Sequence, residues 1–238
     1  MLVDLNTIKG IIFDFDGTLY DNSKLAFNLI SNRFFDVFKI KADRDTRTEL
    51  AGRDFRNIDK YHDIFYKVLS AHTIYTVNYM RNWHLNVYGK HMLKVMKKYH
   101  KPYDGAIELF SILEKAGIKT AIFSDYAGIQ ERMKAIGFPE NLSAHTYSAE
   151  DFGATKPAKR PFLEIAGYFN EEAKNILVVG DRADTDGRGA DVAGMKFIRI
   201  ASKYSRREGR NEKTINDALF DTLSWDDFYK TLSEFFSR

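Results

Sequence analysis

Four short stretches of this sequence carry side chains suited to holding a hard cation and an oxyanion. In the first, Phe13-Asp14-Phe15-Asp16-Gly17-Thr18, two carboxylates stand two residues apart behind the apolar run Ile11-Ile12-Phe13. Alternate residues of an extended chain share a face, so Asp14 and Asp16 are expected to converge. Two close carboxylates repel, and one pKa rises unless a cation neutralises them. Oxygen ligands of this kind suit Mg2+, which binds one or two carboxylates together with waters and substrate phosphate. Gly17 then allows a sharp turn. In the second stretch Ser124 follows the apolar run Ala121-Ile122-Phe123, with Asp125 beside it. A hydroxyl there can donate to an anionic oxygen, although Ser-Asp is also ordinary turn chemistry. The third is Lys156-Pro157, a lysine in a proline-fixed loop that can act as a point charge on phosphate. The fourth, Gly180 to Asp186, holds Asp181, Asp184 and Asp186, three aspartates in six positions. Asp181 is placed to complete an oxygen cage, and Asp186 to orient a metal-bound water or to pair with Lys156.

These groups need a frame, and the hydrophobic pattern supplies one. The run beginning at Gly10 reads as a buried parallel strand. From about Lys24 to Tyr99 the pattern is helical, with one stripe through Phe27, Ile30, Phe34, Phe35 and Phe38, a second through Tyr61, Ile64, Phe65, Val68 and Leu69, and a third through Leu93 and Met96. After Pro102 strands and helices alternate. A helix capped by Asp104, with Ile107, Leu109, Phe110, Ile112 and Leu113 inside, ends near Gly117. Strands are expected at Thr120 to Phe123, His145 to Ser148, Asn175 to Val179 and Lys196 to Ile200. Helices are expected at Ile129 to Ile136, Pro161 to Phe169, Gly189 to Ala193 and, behind a Ser224 cap, Trp225 to Phe236. Ser202 to Asn211 reads as a basic loop. This alternation predicts an α/β fold, a parallel sheet covered on both faces, with the helical block as an insertion after the first strand.

The chain has 238 residues and no cysteine, so disulfides, thiolate metal sites and a thiol nucleophile are excluded. Any metal must sit on oxygen or imidazole, and the scattered histidines of the insert lack ligand spacing. No apolar run approaches a membrane span and the start shows no secretory pattern, so the expected location is cytoplasmic, without membrane partners. The net charge of +3 is unevenly shared: residues 20–105 hold 16 Lys+Arg against 9 Asp+Glu, leaving 20 basic against 24 acidic elsewhere. Basic residues so spread match no nucleic-acid module, and none is expected as a partner. They fit instead a basic insert above an acidic core, a pairing that favours a small anionic substrate.

In their order along the chain the four stretches resemble the motifs of the haloacid dehalogenase superfamily. Phe13 to Leu19 looks like its first motif, Ser124 like its second, Lys156-Pro157 like its third and Gly180 to Asp186 like its fourth; the likeness covers roughly residues 9–200. Asp125 replaces an asparagine common after the second motif, and Lys159 stands where a second proline is common. The resemblance implies a Rossmann-like core of residues 1–19 and 106–238 and a helical cap of residues 20–105. It implies a Mg2+-dependent phosphatase of small phosphorylated metabolites. Asp14 would be the nucleophile that forms an aspartyl-phosphate, Asp16 the acid and base, and Lys156 a catalytic cation. Ser124, Lys156 and the backbone N–H groups near Phe15 would hold the phosphoryl oxygens. Asp14, the Asp16 carbonyl and Asp181 would hold Mg2+, with Asp186, Asp125 and Thr18 as supports behind them. Dehalogenases of the superfamily lack an acid at the position of Asp16, which favours phosphate monoesters here. A phosphomutase of the same superfamily is the alternative, and a non-catalytic phosphate-binding module a weaker one.

Overall fold

The computed structural model describes residues 2–142, 144–201 and 220–237. Its centre is a parallel sheet built from β1 (Gly10–Phe13), β2 (Lys119–Ser124), β3 (His145–Ser148), β4 (Ile176–Gly180), β5 (Lys196–Ile200) and β6 (Asp221–Leu223), in the order β3-β2-β1-β4-β5-β6. Register is in step across the middle: Phe13 lies opposite Ile122 on one side and Val179 on the other.

Both faces of the sheet are covered, which is why its strands read as continuous apolar runs. Ile11, Phe13, Ile122, Leu177, Val179 and Ile198 point into one apolar cluster, and Ile12, Phe123, Ile176, Val178 and Phe197 into the other. The first cluster is closed by α6 (Ala106–Lys115), α7 (Ile129–Ile136) and α10 (Trp225–Phe236), the second by α8 (Lys159–Phe169) and α9 (Arg188–Ala193). Phe13 packs its ring 5.0 Å from Phe110 and 6.3 Å from Phe228, so the first strand is fixed from the side of α6 and α10.

Between β1 and β2 the chain forms α1 (Leu25–Asn32), α2 (Val37–Glu49), α3 (Ile58–Ala71), α4 (Val77–Trp83) and α5 (Gly89–Tyr99). The expected stripe of α3 packs inward through Tyr61, Phe65 and Leu69, and Met96 of α5 is fully buried. The stripe expected through Phe27 to Phe38 does not form. A short 3-10 turn at Phe34–Asp36 breaks the helix, Asp36 binds Arg33 and Lys39 across the break, and Phe27, Phe34, Phe35 and Phe38 are exposed. Asp104 does not cap α6. Gly105 takes the cap position at φ 77°, and the Asp104 carbonyl instead accepts the Trp225 indole N–H at 2.9 Å. Ser224 does cap α10, accepting from the Asp227 N–H at 3.1 Å. The basic loop from Ser202 to Asn211 lies outside the described residues. Among the described residues no helix is long and apolar enough to cross a membrane.

Candidate active site

In a parallel sheet every strand delivers its carboxyl end to the same edge. The chain turns to opposite sides where β1 has β2 on one flank and β4 on the other, the place where such sheets bind ligands. Asp14 follows β1, Ser124 ends β2 and Asp181 follows β4, so all three arrive together. The Asp14 N–H donates to the Val179 carbonyl at 2.8 Å, extending the ladder one residue and fixing the aspartate at the edge.

Lys156 reaches the same point from the loop after β3. Its ammonium donates to Asp14 Oδ1 at 2.8 Å, Asp186 Oδ1 at 2.9 Å and the Phe123 carbonyl at 2.7 Å. Its backbone N–H donates to Asp125 Oδ1 at 2.9 Å, and a cis peptide bond joins it to Pro157. The insert grips this loop: Gly52 N–H donates to the Lys156 carbonyl at 3.0 Å, Thr155 N–H to the Arg53 carbonyl at 2.9 Å, and the Thr155 hydroxyl to the Leu50 carbonyl. A lysine held at both ends in this way is a fixed charge.

Asp14, Asp181 and Asp186 each offer a carboxylate oxygen, all within 4.8 Å of one another. Gly17, at φ 88°, and Gly180 make room for them, since a Cβ at either would strike the carboxylate of Asp181 or Asp186. With all of them ionised, three carboxylates less one ammonium carry a charge of −2 in a buried place. Oxygen donors and that charge fit a hard divalent cation. Burial pushes the Asp14 carboxyl up to about 7; Lys156 pulls against it, and Asp186 adds to the rise. Asp186 is raised for the same first reason, burial. Lys156, between them, is held far above its ordinary value: burial would lower it, but Asp14 and Asp186 outweigh that.

Thr18 supports the cluster, donating to Asp14 Oδ2 at 3.2 Å. Asp16, two residues from Asp14, contributes no carboxylate oxygen to the cluster. Its side chain is bound instead by the Arg132 guanidinium on both oxygens, by the Tyr20 hydroxyl at 2.5 Å and by the Ser124 hydroxyl at 3.1 Å. Burial alone would raise Asp16; the charge of Arg132 and these hydrogen bonds outweigh it and hold the carboxyl below its usual value. The Phe15 ring is buried against Tyr20, at 5.2 Å between centroids.

Arg132 and Arg47 are site residues that pattern reading missed. Arg47 of α2 donates to the Asp125 carbonyl at 2.8 Å and lies 3.9 Å over the Tyr126 ring, tying the insert to the loop after β2. For Arg132 a signal exists in the sequence: Ile129, Arg132, Met133 and Ile136 form the inner stripe of α7, and all four are buried. An arginine on an apolar stripe needs an anionic partner within reach, and the half-buried Asp16 is that partner.

A sequence model of the haloacid dehalogenase-like hydrolases matches residues 8–194. The chain is similar to the glyceraldehyde 3-phosphate phosphatase of Methanopyrus kandleri, 27% identical over 223 residues that cover 90% of this chain and 93% of that one. It is also similar to the phosphoglycolate phosphatase of Aquifex aeolicus, 28% identical over 192 residues covering 79% and 83% of the two chains. Among solved structures, the L-2-haloacid dehalogenase of Xanthobacter autotrophicus superposes with a TM-score of 0.56 at 19% identity, covering 94% of this chain and 88% of that one. At that identity the likeness concerns the fold, which hosts more than one reaction.

Proposed function

Because the chain belongs to the haloacid dehalogenase-like hydrolase family, we propose that it is a Mg2+-dependent phosphatase acting on a small phosphorylated metabolite through an aspartyl-phosphate. The observation that carries this reading is the meeting of Asp14, Asp181, Asp186 and Lys156 at one edge of the sheet, with the further acid Asp16 beside them.

An oxygen of the Asp14 carboxylate attacks phosphorus and the bond from phosphorus to the leaving oxygen breaks; Asp16, ionised while Arg132 holds it, leaves that partner, takes up a proton from solvent and gives it to the leaving oxygen. Asp16 then takes a proton from water, the water oxygen attacks phosphorus, and the bond to Asp14 breaks to release inorganic phosphate. Lys156, whose three N–H donors go to Asp14, Asp186 and the Phe123 carbonyl, turns one from Asp186 to a phosphoryl oxygen while keeping Asp14, and Ser124 donates to another. Asp14, Asp181 and Asp186 would hold Mg2+, with the Asp16 carbonyl as a further ligand. When bound, the cation neutralises charge between carboxylate and phosphate. Asp14 is 8% exposed, Lys156 4% and Asp181 2%, so substrate enters when groups over the site move aside. We assign that movement to residues 20–105 as a cap on the core, which excludes water when closed and on opening breaks the bonds that join Leu50, Gly52 and Arg53 to the Lys156 loop.

The assay is phosphate release with and without Mg2+ from phosphoglycolate and glyceraldehyde 3-phosphate, the compounds named for two relatives. Free phosphate, rather than an isomerised sugar phosphate, separates a phosphatase from a phosphomutase. Asp16→Asn is expected to slow an alkyl phosphate by about 10²-fold or more and para-nitrophenyl phosphate far less, because the aryl oxide leaves without a proton. Equal losses on both substrates would remove Asp16 from the acid's role.

Mg2+ binding carries its own pH signature. With Asp14 raised to about 7, a proton occupies the carboxyl below that pH and the cation must displace it. Calorimetry is expected to show an apparent dissociation constant that is nearly flat above about pH 8 and weakens towards tenfold per pH unit below 7, with proton release on binding. A constant affinity across that range would contradict the assignment of Asp14 to the cation.

A further inference from the structure

Arg132 lies on a core helix with its side chain 3% exposed and its guanidinium 4.9 Å over the Phe15 ring. Its Nη2 binds both oxygens of Asp16, and its Nη1 donates to the Ser124 hydroxyl at 3.1 Å and the Tyr126 carbonyl at 3.2 Å. Its Nε is buried without a hydrogen-bond acceptor among the described residues. Ser124 and Tyr20 complete the ring of donors, the Ser124 hydroxyl at 3.1 Å and the Tyr20 hydroxyl at 2.5 Å from the Asp16 carboxylate. A planar carboxylate thus sits among a guanidinium and two hydroxyls, one of which the proposed mechanism needs for substrate. While Asp16 occupies this place, the Ser124 hydroxyl is directed at Asp16.

We propose that the Arg132, Ser124 and Tyr20 pocket is an oxyanion site for the substrate's phosphoryl group, and that Asp16 fills it as an internal stand-in until substrate displaces it. The inference rests on the phosphatase reading and extends it to a residue on α7. Guanidinium donors match phosphate as they match carboxylate, and the partnerless Nε supplies one more donor than Asp16 uses. A phosphoryl dianion competes for Arg132 with more charge than a single carboxylate, and the exchange frees the Asp16 side chain for the leaving oxygen. No bond is made or broken in the exchange; one anion leaves the pocket as another enters.

The test is a double-mutant cycle on binding of inorganic phosphate, measured by calorimetry in saturating Mg2+ for wild type, Asp16→Asn, Arg132→Gln and the double variant. Removing the stand-in is expected to tighten phosphate by about tenfold or more, the scale of a charged hydrogen bond. In the Arg132→Gln background the same Asp16→Asn change is expected to gain little, since the site it would vacate is gone. Arg132→Lys should keep part of the affinity that Arg132→Gln loses. If Asp16→Asn tightens phosphate equally in both backgrounds, the effect is long-range charge and the proposal fails. If Asp16→Asn does not tighten phosphate at all, there is no stand-in and it fails too. Failure of every protein, wild type included, to bind phosphate would instead strike at the phosphatase reading beneath it.

Discussion

Asp14→Asn is expected to lower kcat by about 10⁴-fold or more while leaving the protein folded. The amide keeps the size of the carboxyl, and its oxygen can still accept from Lys156, which donates to Asp14 at 2.8 Å and to Asp186 at 2.9 Å. What it loses is the oxygen proposed as the nucleophile, and with it the proposed covalent bond to phosphorus. The stability argument runs the other way. Burial raises the Asp14 carboxyl, so its ionised form costs stability above its unfolded value of 3.8, increasingly up to about 7. The neutral amide removes that cost and also one repulsion with Asp186. The metal-free variant is therefore expected to unfold at no lower urea concentration than wild type at about pH 8. Rapid acid quench of labelled substrate supplies the direct readout, with a hydroxylamine-labile phosphoenzyme in wild type and none in Asp14→Asn. Activity within tenfold of wild type, or label on another residue, would dismiss Asp14 as nucleophile.

Much of this architecture is legible because a sheet buried on both faces writes itself as apolar runs. Ile11 to Phe13, Ala121 to Phe123 and Ile176 to Val179 are such runs, and each is followed within two residues by a polar group of the site. The edge strand Asp221–Leu223 escaped that reading, since it has three residues and none is fully buried. Periodicity also reports which residues are apolar, not which are covered. Phe27, Phe34, Phe35 and Phe38 keep a helical spacing, yet the chain breaks where Arg33 and Lys39 converge on Asp36, and the rings stay outside. At the site, spacing brought Asp14 and Asp16 to one place but not to one partner. Which cation each takes depends on Arg132 and Lys156, 116 and 142 residues away in sequence. Such pairings follow from the closure of the sheet, and a local window does not contain them.

Lys156→Met tests the electrostatics of the cluster more severely than any other change. The methionine fills a similar volume but withdraws the ammonium that bridges Asp14 and Asp186 and leaves the Phe123 carbonyl without its 2.7 Å donor. Removing one member of a buried ion pair costs about 3–5 kcal/mol, because the partner charge stays behind. Here two partner charges stay behind, and the cost depends on whether they are ionised. Both carboxyls are already raised by burial with Lys156 present, and without it they rise further. A raised carboxyl destabilises the fold from its unfolded pKa upward, so the penalty is smallest at about pH 4 and grows as pH climbs through neutrality. Urea unfolding is expected to show the variant close to wild type near pH 5 and several kcal/mol weaker near pH 8. Saturating Mg2+ should recover more stability in the variant than in wild type, since two positive charges return to a site that lacks its own. Turnover should still fall by about 10³-fold with the cation present, because Mg2+ does not replace the donor that Lys156 is proposed to turn to the phosphoryl oxygen. A loss of stability that is equal at both pH values and indifferent to Mg2+ would mean that Lys156 acts through packing, and that the charge between the two aspartates is not what holds this edge of the sheet together.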